Sequence, residues 1–249
     1  MAEPPLVSPM IFLLDGIIAI ISVVILAYGI FMILGRYRER RQIVALYALL
    51  YVTLFMIDMI IVALQNLLYY YGVIDWGMFI YIQYHRFILL NSGVAFTAIF
   101  AMTLFERWKK VVIIISSILF VSGVLTSIAN FISGPGGELP AWGKASLGIS
   151  GMFDIIGYLP FTLLSFLESR VAVSTLGKKG YRVMTVGGLV ALLTPLTGMA
   201  AMANRVLYYN FFGYLSIMFD AVGNLLMVAG FVMPPWLRKL LKISDTGSK

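Results

Sequence analysis

Long apolar runs separated by short polar or glycine-rich intervals set the pattern of this chain: 9–34, 43–68, 78–104, 111–132, 145–167, 183–207 and 214–233. A helix of about 20 apolar residues crosses the hydrocarbon core of a bilayer, so each run predicts one transmembrane helix. The intervals carry turn residues, most clearly Ser133-Gly134-Pro135-Gly136-Gly137. After Pro234-Pro235, the stretch from Trp236 to Lys242 alternates apolar and basic residues as a short amphipathic helix on a membrane surface would. Residues 244–249 read as a disordered end.

Basic residues orient the bundle. Arg36, Arg38, Arg40 and Arg41 fall in the first interval, Arg107, Lys109 and Lys110 in the third, and Arg170, Lys178, Lys179 and Arg182 in the fifth. With Arg238, Lys239, Lys242 and Lys249 in the tail, 15 of the 18 Lys and Arg lie on one side, leaving Arg86, Lys144 and Arg205. By the positive-inside rule the N-terminus is outside and the C-terminus cytoplasmic. Arg205, near the outer interface, is expected to snorkel. The four tryptophans and the runs Tyr69-Tyr70-Tyr71 and Tyr208-Tyr209 sit at segment ends, as an interfacial aromatic belt does.

Composition agrees: 61% hydrophobic and 12% charged residues with mean hydropathy +0.97 define a multi-pass integral protein of a cell membrane. The first segment lacks a basic n-region and is too long for a signal peptide, so it is expected to stay in the membrane. The expected fold is therefore all-α: an extracellular segment 1–8, a seven-transmembrane-helix bundle over 9–233, and an amphipathic cytoplasmic tail over 234–249. The net charge of +7 fits a membrane surface better than nucleic acid, for which no motif is present. There is no cysteine, hence no disulfide or thiol chemistry. No phosphate loop, His-Glu-x-x-His, serine elbow or dinucleotide fingerprint occurs, so no enzymatic activity is expected.

Polar residues within the apolar segments carry the functional signal. Asp15, Asp58, Gln65, His85, Arg86, Asn91, Asp154, Asp220 and Asn224 lie near the middle or in the outer half of their segments, whereas the inner halves are nearly free of charge. An intramembrane charge is costly and must find a partner or a watered cavity. Helical spacing extends several into stripes: Asp15 with Ser22, Asp58 with Gln65, and Ser150, Asp154, Tyr158 and Thr162 together. Arg86 is the natural counter-charge, expected to pair with Asp220, and Asp58 and Asp154 are its other candidate partners. The candidate ligand or ion pocket is thus Asp15, Asp58, His85, Arg86, Asn91, Asp154, Asp220 and Asn224. The competing reading is an ion-pair network that serves packing alone. One histidine cannot supply a multi-histidine metal site, and no metal is expected.

Two resemblances bear on this pattern. Glu168-Ser169-Arg170, Val173-Ser174-Thr175-Leu176, Pro195 in the sixth segment and Asp220 in the seventh follow an order and spacing similar to microbial rhodopsins, as does Arg86 in the third segment. The family's retinal-binding lysine falls at Asn224, whose amide cannot form a Schiff base. Its cage tryptophans fall at Ala191 and Gly198, and its pump proton acceptor at Leu89. The resemblance therefore implies an opsin-like scaffold without covalent retinal or any other cofactor, its aromatic cage removed to leave space for another ligand or water. The second resemblance is an internal repeat: Leu68-Tyr69-Tyr70 recurs as Leu207-Tyr208-Tyr209, Asp15 corresponds to Asp154, His85 to Asp220 and Phe96 to Phe231. This resembles the three-one-three plan of parallel-repeat sugar transporters, although their Pro-Gln signature is missing.

These features lead to a retinal-free heptahelical receptor or sensor that binds a small molecule, ion or proton in an outer-half pocket and is read by a cytoplasmic protein partner on the basic face. The alternatives are a proton- or cation-coupled transporter and a structural subunit of a larger membrane complex. The lipid bilayer is a partner in every case. Gly187, Gly188, Gly223 and Gly230 would let helices approach closely, within one bundle or between protomers of an oligomer.

Overall fold

The structure, a computed structural model, describes residues 10–40, 42–203 and 213–243, with side chains described for 10–38, 42–197 and 215–243. The expectations for the segment 1–8, Arg41, Arg205, the Leu207-Tyr208-Tyr209 repeat and the disordered end fall outside these residues.

Among the described residues all regular structure is helical: α1 (Met10–Arg40), α2 (Ile43–Tyr70), α3 (Trp76–His85), α4 (Phe87–Phe105), α5 (Lys109–Ser133), α6 (Ala141–Val171), α7 (Thr175–Ala203), α8 (Gly213–Val232) and α9 (Pro235–Leu240). Among the described residues six spans are long and apolar enough to cross a membrane: Met10–Arg38, Ile43–Tyr70, Trp76–Phe105, Lys109–Ser133, Ala141–Val171 and Leu215–Val232. The chain is a membrane protein by that criterion. α7 is as long as its neighbours but richer in glycine, threonine and basic residues, and it packs between α6 and α8. Successive helices lie side by side, α8 closes against α1, and α4 reaches inward to touch α2, α5 and α6.

Two expectations need correction. The run 78–104 is not one uninterrupted helix. It breaks at Arg86, whose carbonyl accepts from both Leu89 N and Leu90 N at 3.0 Å, a tightened turn of the 3₁₀ kind. The basic residues placed in the intervals also belong largely to helices, because backbone hydrogen bonding continues past the edge of the apolar run. Arg36 and Arg38 lie on α1, Arg170 on α6, and Lys178, Lys179 and Arg182 on α7.

The chain buries polar groups and exposes apolar ones. α1 turns Ile21, Val24 and Phe31 outward and α5 turns Ile114, Phe120 and Phe131 outward, all more than half exposed, as lipid contact favours. Some hydroxyls inside the bundle bond back to their own helix, as Ser22 to Ile18 O at 3.0 Å and Ser165 to Phe161 O at 2.7 Å, and others reach across to a neighbour, as Ser146 to Ser122 O at 2.7 Å. At the α7–α8 contact the glycines act within the bundle. A Cβ on Gly187 would stand 2.6 Å from Met227 N, one on Gly223 would stand 2.7 Å from Ala191 N, and one on Gly230 would stand 2.7 Å from Gly180 O. Gly188 faces α6 instead, against Thr162. The turn after α5 uses Gly134 (φ 70°) and Gly136 (φ 75°), both left-handed, where a side chain would be strained.

Met233 and the two prolines end α8 and start α9, which folds back on the basic end of the bundle. Leu237 is buried, Trp236 Nε1 donates to Tyr28 Oη at 2.9 Å, and Lys179 Nζ donates to the Leu241 carbonyl.

Candidate functional site

At the end of the bundle opposite α9, the helices part around a cavity of about 470 Å³. It is lined by Asp15 from α1, Asp58 and Asn66 from α2, Gln83 from α3, Arg86 from the α3–α4 break, Asp154 and Tyr158 from α6, Thr194 from α7, and Asp220 from α8. Helical periodicity brings these residues together. Asp58, Val62 and Asn66 lie one turn apart along α2, as do Asp154 and Tyr158 along α6, and each set presents one face.

Arg86 is held by a fork. Its Nε donates to Asp58 Oδ1 and its Nη2 to Asp58 Oδ2, both at 2.9 Å, while Nη1 donates to Gln83 Oε1 at 2.7 Å. Gln65 extends the chain, its Nε2 donating to Phe79 O at 2.8 Å and to Gln83 Oε1 at 3.3 Å. Paired planar geometry of this kind suits a guanidinium removed from water. Among the described residues the ion pair of Arg86 is thus with Asp58, one of the secondary candidates, and not with Asp220 as expected.

Asp220 takes other partners. Asn224 Nδ2 donates to its backbone carbonyl at 2.8 Å and to its Oδ1 at 3.1 Å, and the Tyr158 hydroxyl approaches Oδ1 at 3.4 Å. Asn224 is fully buried and does not line the cavity; it positions Asp220 from the turn behind. Three carboxylate oxygens, Asp15 Oδ1, Asp154 Oδ1 and Asp220 Oδ2, are buried without a hydrogen-bond partner, as is Thr194 Oγ1. Buried polar atoms are almost always satisfied, so such a concentration in one cavity points to a role beyond packing.

His85 and Asn91 belong elsewhere. His85 Nδ1 meets Ser127 Oγ at 2.6 Å, and its ring packs edge-on against Tyr81. Asn91 Nδ2 donates to Leu119 O, Ser122 Oγ and Ser150 Oγ, joining α4 to α5 and α6. Both turn away because they lie on the α5-facing side of the interrupted helix. Asp15 and Asp154, which correspond in the internal repeat, share the cavity, whereas His85 does not face it as its counterpart Asp220 does. Gln83, Asn66 and Thr194 were not singled out from the sequence. Gln83 stands one turn before Arg86 and Asn66 two turns after Asp58, a spacing that signals a shared face.

At the cavity mouth, Lys144 Nζ donates to Glu138 Oε2 at 3.1 Å. That bond and the adjacent positive charge hold the Glu138 carboxyl below its ordinary 4.5. Among the described residues no group of three or more His, Cys, Asp or Glu converges closely enough to hold a metal ion.

The space expected at Ala191 from the resemblance is closed rather than open: Ala191 is fully buried and packs on Gly223. The cavity lies one turn away, at Thr194 and Pro195. Toward the basic end, Tyr158 stacks on Phe55, and beyond them Tyr51, Phe100, Phe161 and Phe231 form a buried aromatic layer with ring centroids 5.1 to 5.7 Å from Phe100. No family model matches the chain, and neither a curated protein nor a solved structure matches it.

Proposed function

We propose that the chain is a retinal-free heptahelical receptor or sensor of a cell membrane, with α7 as its seventh span, the cavity facing outward and the basic end in the cytoplasm. The observation that carries this reading is a largely apolar cavity at one end that gathers four carboxylates, with a buried aromatic layer beyond it. A ligand can enter and engage Asp15, Asp154 and Asp220, and the layer around Phe100 beyond it is buried and aromatic, with the Tyr51 hydroxyl as its polar side-chain group. Binding would shift the bundle only through different contacts in two states. The α7–α8 interface, packed glycine to backbone, links the cavity residues Thr194 and Asp220 to α9 on the basic face, where a cytoplasmic partner would read the change. The opsin-like order of residues supports the same scaffold.

One observation favours the carrier reading. The Tyr51 hydroxyl is buried in the aromatic layer without a partner, a group that a proton or water pathway would use. The two readings separate in proteoliposomes under imposed pH and sodium gradients. A receptor leaves the gradients intact. Dissipation by the wild type that is abolished by Asp220→Asn makes the protein a carrier with Asp220 as its coupling residue.

A further inference from the structure

The charges around the cavity do not balance. Its cationic lining residues among those described are Arg86 and Lys144, and both are engaged: Arg86 by both oxygens of Asp58, and Lys144 by Glu138 at the mouth. Asp15, Asp154 and Asp220 remain, with 7%, 5% and 1% of their surface exposed; each lines the same cavity and carries one carboxylate oxygen buried without a hydrogen-bond partner among the described residues. Buried carboxylates persist when something pairs with them. The three stand on α1, α6 and α8, and they do not converge on one point as metal ligands would. A single small cation therefore cannot satisfy them together, whereas an extended molecule can.

The rest of the wall describes the middle of such a molecule. Met59, Val62, Phe79, Phe87 and Leu90 line the cavity between the acids with apolar surface. Phe79, Phe87 and Tyr158 add ring faces or edges that accommodate an ammonium group or the methylenes beside it. A volume of about 470 Å³ falls in the range of sites for small organic ligands.

We propose that the cavity binds an organic di- or polyamine, its ammonium groups distributed among Asp15, Asp154 and Asp220 and its carbon chain lying on the apolar wall. This rests on the ligand-binding reading above and adds the chemical class. Arg86 then acts as a structural counter-ion for Asp58 and takes no part in anion recognition, which explains why an arginine and four acids share one cavity.

The test uses the full chain in lipid nanodiscs with three probe series matched in length: α,ω-diaminoalkanes of four to eight carbons, the corresponding diols and the corresponding dicarboxylates. Binding is read by calorimetry and by the shift in unfolding temperature. The diamines are expected to bind and stabilise, with diols and dicarboxylates at least tenfold weaker, and Asp154→Asn and Asp220→Asn are each expected to weaken diamine binding at least tenfold. Equal binding of diols, preferential binding of dicarboxylates, or no binding by any series overturns the amine assignment. So does diamine binding that both variants leave unchanged. The comparison among probes needs only the wild type, so the proposal stays testable where a variant does not fold. The gradient experiment judges the receptor reading separately: diols binding better than diamines, with gradients intact, removes the amine and keeps the receptor.

Discussion

Arg86 grips Asp58 with two parallel hydrogen bonds, Nε to Oδ1 and Nη2 to Oδ2, each 2.9 Å long, across the gap between the α3–α4 break and α2. Asp58 is fully buried and the Arg86 side chain is 14% exposed. Removing one member leaves the other as an uncompensated charge away from water. Asp58→Leu and Arg86→Met are each expected to cost about 3–5 kcal/mol, while the two combined recover most of the loss. Chemical unfolding of the single and double variants in detergent, read as a double-mutant cycle, checks this. Additive losses would mean that the pair is not coupled.

The α7–α8 interface has no room for side chains at its glycines. A Cβ on Gly223 would stand 2.7 Å from Ala191 N, whereas one on Gly35 meets nothing within 4 Å. Gly223→Leu is expected to destabilise by at least the 1–3 kcal/mol typical of overpacking, and Gly35→Ala to leave stability nearly unchanged or to raise it. Unfolding temperatures of the two variants decide it.

Introducing the lysine of the resembled family at Asn224 should not create a pigment. Asn224 is fully buried with its amide spent on Asp220, and the neighbouring turn is closed by Ala191 against Gly223. The Asn224→Lys variant mixed with retinal is expected to show no visible absorption band of a protonated Schiff base. A band would mean that the bundle opens at Ala191.

Glu138 and Lys144 predict a modest dependence on pH. Lys144 holds the Glu138 carboxyl below its ordinary value. A carboxyl lowered on folding adds stability above its unfolded pKa, and loses it as pH falls through the lowered folded value. Because the pair is exposed and screened, Glu138→Gln is expected to shift the unfolding temperature only slightly at neutral pH. The difference should vanish in acid and in high salt. The same variant frees Lys144 at the mouth of an acidic cavity, so it should weaken diamine binding more than it weakens the fold.

Helices and their positions were legible in the sequence because crossing a bilayer demands long apolar runs, and among the described residues six of the predicted runs meet that demand as spans. The seventh predicted run, 183–207 on α7, runs on past the residues whose side chains are described. Polar residues were legible as buried, since Asp15, Asp58, Asp154 and Asp220 have nowhere else to go in so apolar a chain. Their partners were not legible. Whether Arg86 reaches Asp58 or Asp220 depends on the rotation of α3 and α4 about their break, and nothing in the run 78–104 marks a break at Arg86. The same rotation takes His85 and Asn91 to the α5 side. Depth along a helix follows from counting residues, but direction around it follows from packing.

The central claim, a cavity open at one end and sealed from the other by an aromatic layer, is most directly tested by thiol accessibility. The chain has no cysteine, so an introduced one is the only target. Gly151 lines the cavity with open space around it, and Phe161 is fully buried in the layer. In sealed vesicles of known orientation, a membrane-impermeant thiol reagent should label the Gly151→Cys variant from the outside alone and leave Phe161→Cys unlabelled from both sides. Labelling of Gly151→Cys from the cytoplasmic side, or of Phe161→Cys from either side, would contradict the sealed floor and replace the receptor with a pathway.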